Sequence, residues 1–222
     1  WLHGAGEGGQ DPKAAYSANR VVALSQKHAQ DLFGGAYVLA PQCPTYWMDS
    51  GSGFIQMDGK TKYTPALLAL IDEFIEKNPG IDKSRIYIGG DSNGGFMTMR
   101  MLMNYPDYLA AAFPICEAMI DSRVTDEDIA RLAQIPIWFT HAKNDPIVVP
   151  DRYAVPTYER IMAAGAQNCH FTCWDRILDL YAGFETENGE PYEYLGHFAW
   201  IPMFNDDCKV DYDGKPGTWN GQ

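Results

Sequence analysis

Apolar positions fall along the chain in short, nearly unbroken runs separated by longer stretches of helical period. Ala36 to Ala40 (Ala-Tyr-Val-Leu-Ala) is one such run and ends at Pro41. Pro65 to Lys77 places Leu67, Leu68, Leu70, Ile71, Phe74 and Ile75 at helical spacing and stops at Asn78-Pro79-Gly80. Arg85 to Ile88 is a second extended run, followed by a helical stretch, Phe96 to Met103, that gives way at Tyr105-Pro106. Ala111 to Cys116 predicts a buried strand, and Thr125-Asp126-Glu127-Asp128 opens a helix with a capping signature. Ile135 to Thr140 predicts another strand, Tyr158 to Ala166 a helix, and His170 to Trp174 a last strand. Apolar strands that alternate with helices predict a mostly parallel sheet covered by helices on both faces. The expected organisation is a single α/β domain over residues 1–222, without repeats or linkers.

Composition narrows what such a domain does. In 222 residues, 46% are hydrophobic and 13% aromatic, enough for a sizeable core. Seventeen basic against 29 acidic residues give a net charge of −12 with no basic cluster, which argues against nucleic acid or an anionic membrane as partner. No run approaches the roughly 20 apolar residues of a membrane span. Five scattered cysteines (Cys43, Cys116, Cys169, Cys173, Cys208) lack paired C-x-x-C spacing, so no metal site is expected, and one or two disulfides stay open. The alternating methionines after Phe96 are expected as core filler, and Cys116 as an inert buried thiol.

The chemistry starts where the second strand runs into Gly90-Asp91-Ser92-Asn93-Gly94. This is the G-x-S-x-G pattern of a nucleophile elbow, in which a sharp strand-to-helix turn leaves no room for side chains two positions either side of the serine. The pattern alone is short, but the strand before it and the helix after it supply the required setting. Asp91 either tunes the site through its charge or stabilises the turn. A serine nucleophile needs a base, a group to orient the base, and oxyanion donors. In open α/β sheets these gather at the carboxyl ends of strands. That criterion selects His197, in Gly196-His197-Phe198-Ala199-Trp200, over His28 in a polar helical stretch, His141 capping a strand, and His170 at a strand start. It selects Asp145, just past the Ile135–Thr140 strand, with Asp151 as the second choice. The oxyanion donors are the N–H of Asn93 and, from the glycine-rich opening His3-Gly4-Ala5-Gly6-Glu7, that of Ala5. A phosphate-binding reading of that loop lacks the Walker A Lys-Ser/Thr and the spacing of a dinucleotide fingerprint.

These motifs, with Leu39-Ala40-Pro41-Gln42-Cys43-Pro44 and Trp47 between them, resemble the α/β-hydrolase superfamily in order and over essentially the whole chain. Within it the chain is similar to bacterial esterases of the polyhydroxybutyrate-depolymerase and feruloyl-esterase-like group, some of them called peptidases. The resemblance implies an α/β-hydrolase fold, Ser92, Asp145 and His197 as triad, Ala5 and Asn93 as donors, and no metal or organic cofactor. It also implies two or so strands ahead of the His-Gly loop, expected to lie upstream of Trp1. A secreted or periplasmic protein is expected rather than a cytoplasmic one. The expected substrate is a small-molecule or polysaccharide-linked carboxylic ester, aromatic (hydroxycinnamoyl) or short-acyl. A prolyl-oligopeptidase-type peptidase and a catalytically silent binding module are the alternatives. Trp47 and Trp200 either line the substrate pocket or pack in the core.

Overall fold

The computed structural model describes residues 1–217. After two short helices, α1 (Ala14–Ser17) and α2 (Lys27–Phe33), comes the amphipathic α3 (Thr64–Lys77). Three strand–helix units follow: β1 (Tyr87–Asp91) and α4 (Asn93–Asn104), β2 (Ala111–Ile115) and α5 (Asp126–Leu132), β3 (Ile137–Ala142) and α6 (Ala154–Ala163). Then come β4 (Cys169–Trp174), a two-stranded ribbon of β5 (Ile177–Leu178) and β6 (Glu193–Tyr194), and α7 (Trp200–Met203).

The strands β1 to β4 pair in chain order and all in parallel, with registers such as Asp91 opposite Ile115 and Phe139 opposite Phe171. Parallel strands need long crossovers, and α4, α5 and α6 supply them. All four carboxyl ends therefore lie along one rim. Side chains on either face of the sheet feed two cores. Ala112, Ile137, Phe139 and Phe171 pack with α4, α5 and α6. On the other face Phe113, Ile115 and Trp174 pack with Val21, Ile177, Ala199 and Trp200, so this face is closed by the ribbon, α7 and loops. The methionine-rich helix α4 is buried over most of its surface, with Met97, Met99, Met101 and Met103 each at most 1% exposed. Each such side chain contributes about 1.5–3 kcal/mol of burial. α5 carries the expected capping box, Thr125 Oγ1 accepting from the Asp128 amide and the Asp128 carboxylate from that of Thr125.

The expected strand at Ala36–Ala40 does not form a ladder. The segment carries no regular secondary structure, and Tyr37 in it is 57% exposed. Its neighbour is the short stretch Trp1–His3: the Trp1 nitrogen donates to the Leu39 carbonyl at 2.8 Å, and His3 Nε2 accepts, beyond the run, from the Cys43 amide at 3.0 Å. Two isolated bonds do not define a register. Leu2 in turn bridges Gly90 in parallel, which seats the opening of the chain against the outer edge of β1. Between β4, the last strand that the apolar pattern predicts, and His197, the chain forms the β5–β6 ribbon. It is pinned by Asp179, whose carboxylate accepts from the amides of Tyr181, Ala182 and Phe184 and from the Tyr194 hydroxyl. A cavity of about 610 Å³ opens between α3 and the β1 edge, lined by Leu67, Phe74, Tyr87 and Ile88; none of Ser92, Asp145 or His197 reaches it.

Candidate active site

At the carboxyl end of β1 the chain turns sharply into α4. Ser92 occupies the turn with φ 54° and ψ −111°, a region that costs a non-glycine residue of order 1–3 kcal/mol. The surroundings hold it there: its amide donates to Ile115 O at 2.9 Å, and its carbonyl accepts from Phe96 and Ala118. Its hydroxyl makes no cap bond to α4. Among the described residues it makes no hydrogen bond to His197 either, a looseness common in sites without substrate.

The flanking glycines serve the loop that opens the chain. A Cβ on Gly94 would lie 2.0 Å from the Leu2 carbonyl oxygen and 2.7 Å from that of His3. On Gly90 it would lie 2.3 Å from the same Leu2 oxygen. The two glycine-rich motifs therefore need each other, since the backbone of residues 2–4 crosses directly over the elbow. Gly94→Ala is expected to destabilise the fold by about 1–3 kcal/mol, because the obstacle is backbone. Gly6→Ala, with nothing within 4 Å of its Cβ, should be close to neutral, and thermal melts of the two variants check this.

His3 is 1% exposed and tied on both ring nitrogens. Nε2 accepts from the Cys43 amide, so the proton is on Nδ1, which donates to the Gly4 carbonyl at 2.7 Å. Burial pushes this imidazole below its ordinary range, consistent with a neutral ring. The ring thereby fixes the turn Ala5–Glu7, a short 3₁₀ helix whose first amide is that of Ala5. Asn93, at the start of α4, likewise has an amide with no acceptor inside its helix. Its side-chain oxygen accepts from the Trp47 amide at 2.7 Å, which anchors the Trp47 loop to the elbow.

At the end of β3, Asp145 is 3% exposed and His197 8%. His197 Nδ1 donates to Asp145 Oδ2 at 2.7 Å, while Oδ1 accepts from the amides of Ile147 at 2.8 Å and Val148 at 3.1 Å. A fourth donor is one that sequence reading passed over. His141, fully buried, brings Nε2 to 3.1 Å from Asp145 Oδ2 and 2.8 Å from the Val148 carbonyl. A carbonyl only accepts, so Nε2 carries the proton. Burial by itself would raise the Asp145 carboxyl, but the bonds from His141 and His197 outweigh it and hold the group well below the usual carboxylate range. The signal was present as a strand-end histidine four residues before the acid. Asp151, by contrast, is exposed on a short 3₁₀ turn and makes no such contact.

Cys116 joins the two halves. It follows β2 with φ 35°, is fully buried, and donates its thiol proton to the His197 carbonyl at 3.3 Å. Its Sγ, an Asp145 oxygen and a His197 nitrogen lie within 4.8 Å of one another, the one group among the described residues with the spacing of a metal cluster. Burial first, then nearby carboxylates, push this thiol well above its ordinary value, so the thiolate a metal requires is disfavoured. All five cysteines are free. Trp47 is 3% exposed, packed on His3 and Tyr63, and Trp200 is 7% exposed beside His197 and Phe198. Little of either indole is left to face a substrate.

The same fold recurs among solved structures. A thermostable esterase is 30% identical with a TM-score of 0.70; the match covers 92% of this chain and 50% of that one, so the chain spans half the length of that enzyme. SOBER1 of Arabidopsis thaliana is 20% identical (TM-score 0.54, 78% of this chain and 86% of that one). The esterase PE8 is 16% identical (TM-score 0.55, 78% and 80%). No curated protein sequence matches the chain. These likenesses agree with the α/β-hydrolase fold that the motifs implied. A model of the phospholipase/carboxylesterase family matches residues 52–177, a stretch that takes in the elbow serine and Asp145 and leaves His197 and the opening loop outside. With more than half of its length matched, the chain belongs to the phospholipase/carboxylesterase family of α/β-hydrolases.

Proposed function

We propose that the chain is a serine carboxylesterase in which Ser92, His197 and Asp145 act as nucleophile, base and orienting acid. The observation that carries this reading is the 2.7 Å bond from His197 Nδ1 to Asp145, at the strand rim that also bears the strained elbow serine. With its proton on Nδ1, His197 has Nε2 free to take the serine proton as Ser92 attacks the acyl carbon, and to return it to the leaving alcohol. The imidazolium that forms is stabilised by Asp145, which His141 and two backbone amides keep ionised and in place. The amides of Ala5 and Asn93 receive the oxyanion, each worth about 3 kcal/mol of barrier. Water then repeats the sequence on the acyl-enzyme.

An aromatic, hydroxycinnamoyl or short-acyl ester suits the apolar side chains exposed next to these elements, among them Ile147 beside the acid and Phe54 in the loop that leaves Trp47. The resemblance to feruloyl-esterase-like enzymes supports the same class. Initial rates on p-nitrophenyl acyl esters and methyl hydroxycinnamates, set against peptide anilides, test this reading. Esters are expected to turn over faster. Faster cleavage of the anilides would make the chain a peptidase, and no turnover of any ester would make it a binding module.

A further inference from the structure

Asp91, the last residue of β1, stands immediately before the elbow serine and is 2% exposed. Its Oδ2 accepts from Asn19 Nδ2 at 3.1 Å, and its Oδ1 is buried with no partner among the described residues. The group that faces it comes from the opening turn. A Cβ on Gly4 would lie 2.7 Å from Asp91 Oδ2 and 3.0 Å from Glu7 Oε2, so the two carboxyls converge on the space that Gly4 leaves empty. No lysine or arginine pairs with either among the described residues. The other titratable groups nearby are the Cys116 thiol at the end of β2 and the tethered His3 ring, both neutral. Two carboxylates cannot both stay ionised in such a place.

We propose that Glu7 and Asp91 are positioning residues that share one proton, and that this pair fastens the Gly4–Glu7 turn to the nucleophile strand and keeps the Ala5 amide aimed at the oxyanion. The inference rests on the esterase reading above. In the singly protonated pair Asp91 is neutral and does not repel the Glu7 carboxylate across the space beside Gly4. As pH rises the proton leaves to solvent, the charge of the pair goes from −1 to −2, and repulsion pushes the Ala5–Glu7 turn off the strand. Burial foremost, and the Glu7 charge after it, raise the Asp91 carboxyl to about 8, while burial also raises Glu7.

The experiment is the pH dependence of kcat and KM on a p-nitrophenyl ester between pH 6 and 10, corrected for spontaneous hydrolysis. Wild type is expected to lose kcat on a descending limb near pH 8, to about a tenth of its plateau one unit higher, with little change in KM. Asp91→Asn puts a neutral group that does not titrate opposite Glu7 and should flatten that limb. Glu7→Gln removes the repulsion from the other side and should flatten it as well; Glu7 is only half-buried, so this variant keeps the test intact if the first folds poorly. A limb that persists in both variants, or a loss of activity equal at every pH, would overturn the pair and leave the esterase reading standing. Turnover retained by Ser92→Ala would instead overturn the esterase reading itself.

Discussion

Ser92→Ala is expected to reduce ester turnover by at least about 10⁴-fold while the melting temperature barely moves. Both halves of this result follow from the elbow. The hydroxyl makes no cap bond to α4, so removing it leaves no orphaned donor or acceptor. The bonds that hold the turn belong to the Ser92 backbone, its amide to Ile115 and its carbonyl to Phe96 and Ala118, and alanine keeps all three. Alanine also carries a Cβ, so the strain at φ 54° is unchanged rather than relieved. A glycine there would relax the turn and mix a stability gain into the measurement; alanine does not. What disappears is the proposed nucleophile alone. The residual rate is set by the oxyanion donors and substrate binding, which still exceed water alone by about 10³–10⁴. Single-turnover assays with a p-nitrophenyl ester, alongside a thermal melt, check it: no burst and no loss of stability. Turnover within tenfold of wild type would remove Ser92 from the mechanism.

Much of the fold and of the candidate site is legible in the residue pattern. Strand–helix alternation is written in the apolar runs, because a strand buried on both faces has no polar side to show. The elbow could be read because its glycines answer a steric demand. The structure makes that demand specific: the atoms that would be struck are the Leu2 and His3 carbonyls, so one motif explains the other. Strand boundaries slipped by two residues or so where parallel pairing, not apolarity, decides them, as at Ile137–Ala142 against the expected Ile135–Thr140. The Ala36–Ala40 run failed as a strand because a β propensity is realised only if a neighbour offers a ladder, and composition says nothing about neighbours. His141 was missed for a related reason. It contacts Asp145 only because the Asp145–Val148 turn folds back over the strand end, bringing the Val148 carbonyl to the ring. Trp47 and Trp200 were legible as aromatics near the motifs that either line a pocket or pack in the core; the choice between the two was not, since burial of a loop depends on what lies beneath it. The facing of Glu7 and Asp91 joins positions 84 residues apart and carries no local signal.

Asp145→Asn is expected to cost about 10⁴-fold in kcat/KM, and the four donors around the carboxylate explain why so small a change does so much. Oδ1 is claimed by the Ile147 and Val148 amides and Oδ2 by His197 Nδ1 and His141 Nε2. Asparagine has one oxygen. The backbone amides cannot give up their hydrogens, so they keep that oxygen and turn the NH₂ group toward the two imidazoles. His197 must then accept on Nδ1, which moves its own proton to Nε2, and a protonated Nε2 is no base for Ser92. His141 meets the same NH₂ with an N–H of its own, a donor–donor clash in a buried place that costs about 1–3 kcal/mol of stability. The carboxylate's low pKa is the same fact in another form, since its donors hold it ionised against burial. Asp151→Asn is the comparator: that side chain is exposed and outside the donor set, so its rate should stay within about twofold of wild type. Steady-state kinetics on both variants, with melts to separate the stability loss, decide the assignment. An Asp145→Asn enzyme that kept its rate while Asp151→Asn lost it would move the acid to Asp151.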